Sequence, residues 1–375
     1  MPKKTSLKDI AKQVGVSTAL VSYVLNDQAE EKRVGQDMAR KIKAAAKALN
    51  YTPNQIARSL KIRKTNTIGV VVADINYRYT SGVTKAIEAE CRRYGYTVIY
   101  GGTQEDAQRF AKLVHILVDR QVDGLILVPV EGCEDSITYI RKQEVPFVFI
   151  DRILPKVEAN IITIDNAATA HRAVKQLLDH GFRRIGFVSY QSRLLNLADR
   201  KQGYLAALKD AGIKADKELV HELPAISGAA SPGTTPGSPS FPLSVHTAID
   251  KLLALPEPCD SIFFATDTLA VEGLRHINAR HIRVPQDLGI VSFDQSEAFD
   301  LFYCPITHGI QPLEAIGQAA VNTLIETMKQ PAIKRTITLK TGFAIGRSAG
   351  ERSETSATPG HIPDFRRKIS SRGKG

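Results

Sequence analysis

Short, apolar, β-branched runs alternate with stretches of helical periodicity over most of this chain. The runs lie at Thr67–Ala73, Thr97–Gly101, Gly124–Val128, Phe147–Ile150, Ile161–Ile164, Ile185–Ser189, Ser261–Ala265 and Gly289–Phe293. Helical patterns fall between them at Gly82–Tyr94, Ala107–Arg120, Ala167–His180, Lys201–Ala211 and Leu269–Ala279. Strands apolar on both faces and separated by helices predict βαβ units and a parallel sheet. Two such blocks, before and after about residue 165, predict two lobes. Ligands in open α/β sheets bind at the carboxyl ends of the strands, so the cleft between the lobes is the expected ligand site.

Charge divides the chain differently. Of 375 residues, the first 64 hold 14 Lys and Arg against 5 Asp and Glu. Residues 65–346 hold 29 against 31, and residues 347–375 hold 7 against 3. A small basic head on a near-neutral body is the electrostatic footprint of nucleic-acid binding. The competing reading is a solvated basic face. No stretch approaches the roughly 18 apolar residues of a membrane span, and the polar start lacks the apolar core of a secretory signal. The four cysteines are scattered, which argues against a zinc cluster or a disulfide scaffold and fits a reducing cytoplasm.

Within the head, Ser6 and Asp9 form a capping-box pattern, and Leu7, Ile10, Ala11 and Val14 share one helical face. Gly15 then permits a tight turn, and Ser17 is a suitable N-cap for a second helix. Two helices joined by a short Gly-containing turn predict a helix-turn-helix. At about 100° per residue, Thr18, Ala19, Ser22, Tyr23 and Asn26 fall within one arc of the second helix, and Leu20, Val21, Val24 and Leu25 fall opposite. A face of small and hydroxyl-bearing side chains lets a helix approach base edges in a major groove. A third helix is expected near Gln36–Asn50. A fourth starts at Thr52-Pro53 and runs only to about Lys61, too short to be stable alone in water.

TSLKDIAKQVGVSTALVSYVLN followed by LNYTPNQIARSL resembles the DNA-binding head of the LacI/GalR family of bacterial repressors. The resemblance implies a hinge helix that folds on the operator and enters the minor groove as a symmetric pair, with Leu60 as the wedge between central base pairs. It assigns DNA contact to Thr5, Leu7, Ser17, Thr18, Ala19, Ser22, Tyr23 and Asn26 in the head, and to Asn54, Ala57, Arg58, Leu60 and Lys61 in the hinge. Many family members carry Arg where this chain has Tyr23, so the operator should differ there.

The body continues the resemblance through TIGVVVADI, RQVDGLILVP, VPFVFIDR, FFATDTLAVEGL and VPQDLGIVSFD. These pieces resemble the type I periplasmic-binding-protein fold of LacI-family effector domains, in which the chain crosses between lobes three times. The implied α/β architecture is an all-α helix-turn-helix head (residues 1–51), a hinge helix and linker (52–65), a two-lobed parallel-sheet effector domain (66–346) and a disordered basic tail (347–375). By position, the effector would contact Asp74, Tyr79, Thr80, Asp151, Asn196, Arg200, Thr266, Asp294 and Gln311. Tyr79 and Thr80 are expected in a loop, Arg200 at the start of a helix and Asn196 one turn earlier. Carboxylates and one Arg suit sugar hydroxyls, and Tyr79 suits an apolar sugar face. An Asp at a strand end also caps turns, and for Asp267 capping and binding stand level.

The expected function is therefore a cytoplasmic, sequence-specific transcription regulator. It would bind double-stranded operator DNA as a homodimer under a small-molecule effector, a sugar or sugar derivative, with no cofactor, metal or membrane. A solute-binding protein is the alternative that the body alone would permit. No GxGxxG, P-loop, HExxH or GxSxG motif supports an enzyme. His276 and His281 are five apart, off one helical face, and read as surface polar groups. Residues 224–243, rich in Pro, Gly and Ser, read as a flexible surface loop.

Overall fold

A computed structural model describes residues 5–51, 64–74, 78–155, 157–224, 241–332 and 334–350. The chain divides into two compact units, Met1–Thr65 and Asn66–Gly375.

The first unit holds helices α1 (Leu7–Val14), α2 (Thr18–Leu25) and α3 (Gln36–Ala48). The Asp9 carboxylate accepts hydrogen bonds from the Ser6 amide and hydroxyl at 2.8 and 2.7 Å, fixing the start of α1. Gly15 ends α1 at φ 74°, a left-handed conformation that a side chain would strain. The Ser17 hydroxyl caps α2 by accepting from the Leu20 amide. Ile10, Val21, Val24 and Ile42 are fully buried where the three helices meet. The hinge residues Asn54, Ala57, Arg58, Leu60 and Lys61 lie outside the described residues.

The second unit holds two six-stranded sheets. One has the order β11-β5-β4-β3-β1-β2, and the other β12-β10-β9-β8-β6-β7. The first sheet comprises β1 (Thr67–Val72), β2 (Thr97–Gly102), β3 (Gly124–Leu127), β4 (Phe147–Ile150), β5 (Asn160–Ile164) and β11 (Thr336–Leu339). The second comprises β6 (Ile185–Tyr190), β7 (Val220–Leu223), β8 (Ser261–Phe264), β9 (Gly289–Ser292), β10 (Thr307–Ile310) and β12 (Gly342–Ala344). Strand pairs are parallel except β10 with β12. The chain crosses between lobes after β5, after β10 and between β11 and β12, so each lobe is discontinuous. The first and third crossings are tied together, because Asp165 Oδ1 accepts from the Thr341 amide at 3.0 Å.

The helices of this unit are α4 (Arg78–Arg93), α5 (Ala107–Asp119), α6 (Glu134–Lys142), α7 (Asn166–Asp179), α8 (Leu195–Asp210), α9 (Phe241–Leu253), α10 (Asp267–Ala279) and α11 (Leu313–Lys329). All eight expected strands are present. Four strands and α6, α9 and α11 go beyond them. The added strands β7, β11 and β12 sit at sheet edges, where short, half-exposed segments carry little apolar signal.

Two expected boundaries are corrected. The loop reading of residues 224–243 fails at its end, because α9 begins at Phe241, which is buried; residues 225–240 lie outside the described residues. The tail reading fails at its start. Arg347–Ala349 forms a 3-10 turn in which the buried Ser348 hydroxyl donates to Ile290 O at 2.6 Å and accepts from the Thr307 amide at 2.8 Å. A short polar segment reads as tail only until the strands it bonds are placed beside it. Residues 351–375 lie outside the described residues.

Helices α7 and α8 pack closely because Gly203 has no side chain. A Cβ there would overlap Ala167 O and lie 2.8 Å from the Ala170 Cβ. Gly203→Ala should therefore destabilise the protein by about 1–3 kcal/mol, the usual cost of overpacking. An unchanged urea midpoint would contradict the close approach.

Candidate nucleic-acid interface and effector cleft

On the head, α2 separates as its sequence predicts. Val21 and Val24 are buried, Leu20 and Leu25 half-buried, and Ser17, Thr18, Ala19 and Asn26 exposed, with Ser22 and Tyr23 half-exposed beside them. Asn26 Nδ2 donates to Ser22 O at 2.7 Å, which fastens the end of the helix. Lys32 Nζ stands 6.0 Å from the centre of the Tyr23 ring. The outward face thus offers hydroxyls, a methyl, an amide and a phenol with a cation next to it. Two assigned residues also work within the head: the Thr5 hydroxyl donates to Leu49 O at 2.9 Å, and Leu7 packs against the core.

On the body, a cleft of about 1030 Å³, open mouth included, lies at the carboxyl ends of β1, β4, β6, β8 and β9. Tyr79, Thr80, Asp151, Asn196, Arg200, Thr266, Asp294 and Gln311 line it, with Asp267. Asp74 does not line it, although its neighbour Ala73 does. Tyr79 and Thr80 stand in the first turn of α4 and not in a loop, since that helix begins at Arg78. Arg200 lies in the second turn of α8, which begins at Leu195, so Asn196 and Arg200 share a face at i, i+4.

Arg200 organises the site. The residue is 3% exposed, and its guanidinium stacks on Phe293 at 3.6 Å. Nε donates to Asn166 Oδ1 at 3.0 Å, and Nη1 donates to Ala265 O at 2.6 Å and Asp294 Oδ2 at 3.1 Å. Gln311 Nε2 donates to the other Asp294 oxygen at 2.6 Å. Asn166 stands where the chain first crosses between lobes and Gln311 where it crosses back. The network Gln311–Asp294–Arg200–Asn166 therefore joins two crossings through the floor of the cleft.

A second ion pair was not foreseen from sequence. Arg152 Nη1 and Nη2 donate to the two oxygens of Glu105, each at 2.6 Å. Arg152 follows Asp151 directly, but its partner lies 47 residues away, so no spacing announces the pair. Glu131, Tyr190 and Ser192 also line the cleft unforeseen. Asp151 at φ 69° and Glu105 at φ 59° both hold left-handed backbone, a strain that concentrates at functional sites. The Tyr79 hydroxyl and Asn196 Oδ1 are buried there with no hydrogen-bond partner among the described residues. Burial pushes the Tyr79 phenol well above its ordinary value. Thr266, not Asp267, caps α10, accepting from the Leu269 amide at 3.4 Å. Burial and then the neighbouring Asp294 carboxylate push the Asp267 carboxyl up to about 7.

His276 is not a simple surface group. Its ring lies 4.2 Å from that of His246, nearly parallel, and Nε2 sits 2.8 Å from Asp250. Among the described residues no three His, Cys, Asp or Glu side chains are placed to hold a metal ion, and no helix is long and apolar enough to cross a membrane.

Residues 6–54 match the bacterial regulatory proteins of the lacI family, residues 65–231 match periplasmic binding proteins and sugar binding domain of the LacI family, and residues 174–349 match a periplasmic binding protein-like domain. The ribose operon repressor of Haemophilus influenzae is 31% identical over 329 residues, 87% of this chain and 92% of that one. The transcriptional repressor PurR of Mannheimia succiniciproducens is 28% identical over 88% of this chain and 94% of its own. Among solved structures, the lac repressor dimer bound to operator and an anti-inducer superposes with a TM-score of 0.76 at 22% identity, covering 93% of this chain and all of that one. The chain belongs to the LacI family of bacterial regulatory proteins. It is a DNA-binding transcriptional repressor with a small-molecule effector domain.

The raised Asp267 carboxyl keeps its proton in the fold at pH values where the unfolded chain, near 3.8, has lost it. The folded state then binds more protons, so this group's contribution to stability falls as pH rises from about 4 to about 7. Asp267→Asn removes that loss. Its Tm relative to the parent should improve between about pH 5 and about pH 8; a pH-independent difference would show that the carboxyl titrates normally.

Proposed function

We propose that the protein works as a cytoplasmic homodimer. Two heads read a pseudo-palindromic operator, and each cleft takes a small hydroxyl-rich carbohydrate that controls operator binding. One observation carries this reading: the effector-lining network from Gln311 to Asn166 spans two lobe crossings, so a ligand that bonds Asp294 or Arg200 also bears on how the lobes are set. Effector control is then a coupling free energy between the cleft and the head.

A helix-turn-helix reads few base pairs alone, and a paired hinge needs two-fold symmetry. Leu301 and Tyr303 are 88% and 57% exposed on the body, an apolar surface that suits a second copy of the chain. For the head, Ser17, Thr18, Ala19, Ser22, Tyr23 and Asn26 are the proposed groove-facing residues, and Thr5 and Leu7 the residues that seat α1. For the hinge, Asn54, Ala57, Arg58 and Lys61 flank the proposed wedge, Leu60. The effector assignment favours sugars because carboxylates and Asn196 accept from, and Gln311 and Arg200 donate to, neighbouring hydroxyls. The solved regulator CelR–cellobiose complex shares the fold at TM-score 0.65 and 24% identity.

Leu60→Gly should weaken operator binding at least tenfold in gel-shift titrations while leaving ligand-induced thermal shifts intact; unchanged operator affinity would remove the hinge mechanism. Operator affinity should also fall with salt at a slope of about −0.9 per phosphate contacted. A shallow slope, or a protein that is monomeric by light scattering, would count against two basic heads acting together.

A further inference from the structure

We propose that the cleft selects an uncharged or ammonium-bearing ligand and excludes phosphorylated and carboxylated ones, because the carboxylates lining it outnumber guanidiniums that are themselves already ion-paired. This rests on the reading of the cleft as the effector site and narrows the chemistry of what enters it.

Glu105, Glu131, Asp151, Asp267 and Asp294 line the cleft, against Arg152 and Arg200. Both terminal nitrogens of Arg152 are held by the Glu105 carboxylate. Arg200 faces Asp294 and two neutral acceptors, leaving Nη2 as its one nitrogen with no hydrogen-bond partner among the described residues. Residues 75–77 are Ile, Asn and Tyr, so they add no cation to the chain that follows Asp74. The N-terminus of α10, which could otherwise attract an anion, already carries Asp267 in its first turn.

An ionised carboxylate only accepts hydrogen bonds. The ligand must therefore bring donors, which hydroxyl and ammonium groups do and phosphate and carboxylate groups do not. Asn196 Oδ1, on a residue only 8% exposed, is a further acceptor without a donor among the described residues. An anionic ligand would meet this surplus of negative charge where burial weakens solvent screening, and the only guanidinium nitrogen open to it among the described residues, Arg200 Nη2, belongs to a charge already paired with Asp294. Asp267, raised to about 7 first by burial and then by Asp294, is partly neutral near that pH, and the other four carboxylates still outnumber the two guanidiniums.

The test uses the full-length protein and matched sets of small sugars. These are ribose with ribose 5-phosphate; glucose and glucosamine with glucose 6-phosphate and glucuronate; and galactose with galacturonate. Thermal shift is read first, with potassium chloride matched for ionic strength, and calorimetry follows for members that shift. In any set that binds, the anionic form should be at least tenfold weaker than its neutral or amino parent. Glu105→Gln, which removes the carboxylate holding both terminal nitrogens of Arg152 and leaves the guanidinium only Asp151 and Pro129 O, should narrow that ratio. An anionic form that binds as well as its parent overturns the inference and leaves the carbohydrate reading standing, as does a ratio that Glu105→Gln leaves unchanged. Binding by no member overturns the carbohydrate reading and this inference with it.

Discussion

A guanidinium buried almost completely is stable only where its charge and donors are matched, and the centre of this molecule is built around that requirement at Arg200. Asn166 supplies an amide oxygen from the start of α7, Ala265 a carbonyl from the end of β8, and Asp294 a carboxylate from the end of β9. Phe293 supplies the ring on which the guanidinium lies. Removing one partner of such a pair leaves the other charge buried and uncompensated. One side chain therefore ties α7, α8, β8 and β9 together at the cleft, above the apolar cluster beneath them.

That arrangement also explains how a metabolite-sized ligand can bear on a protein of this size. The two lobes belong to one chain that passes between them at three places, and polar bonds hold those places together. Asp165 joins the first crossing to the third through Thr341, and Arg172 donates to Thr341 O at 2.8 Å close by. Asp294 and Gln311 link the second crossing to Arg200. A ligand competing for these donors and acceptors meets the same groups that fix the lobe geometry. An interface with two discrete packings responds to small shifts more sharply than a deformable one.

The most local features of the molecule are the most legible in its sequence. The Ser6–Asp9 cap, the Gly15 turn and the Ser17 cap are each defined within four residues, and all are present. Seven of the eight apolar strands were legible because burial on both faces leaves little polar alternation to blur them, whereas β2, a half-exposed edge strand, was legible from its β-branched start Thr97-Val98-Ile99. The long helix α11 also carries its signal openly, with Ile316, Ala320 and Leu324 at i, i+4 and i+8, although it was not among the expected helices. The edge strands β7, β11 and β12 had no comparable signal, being short and partly exposed.

The sequence by itself determined the two-part plan of the protein: a basic three-helix head and a neutral body of alternating strands and helices. Both follow from charge and periodicity, which are properties of neighbouring residues. It also singled out most of the cleft, because strand ends announce themselves. Only the tertiary structure decided which charges face one another there. Glu105 meets Arg152 across 47 residues and Asp294 meets Arg200 across 94. Coulomb energy depends on distance in space, and separation along the chain leaves that distance open until the fold is formed.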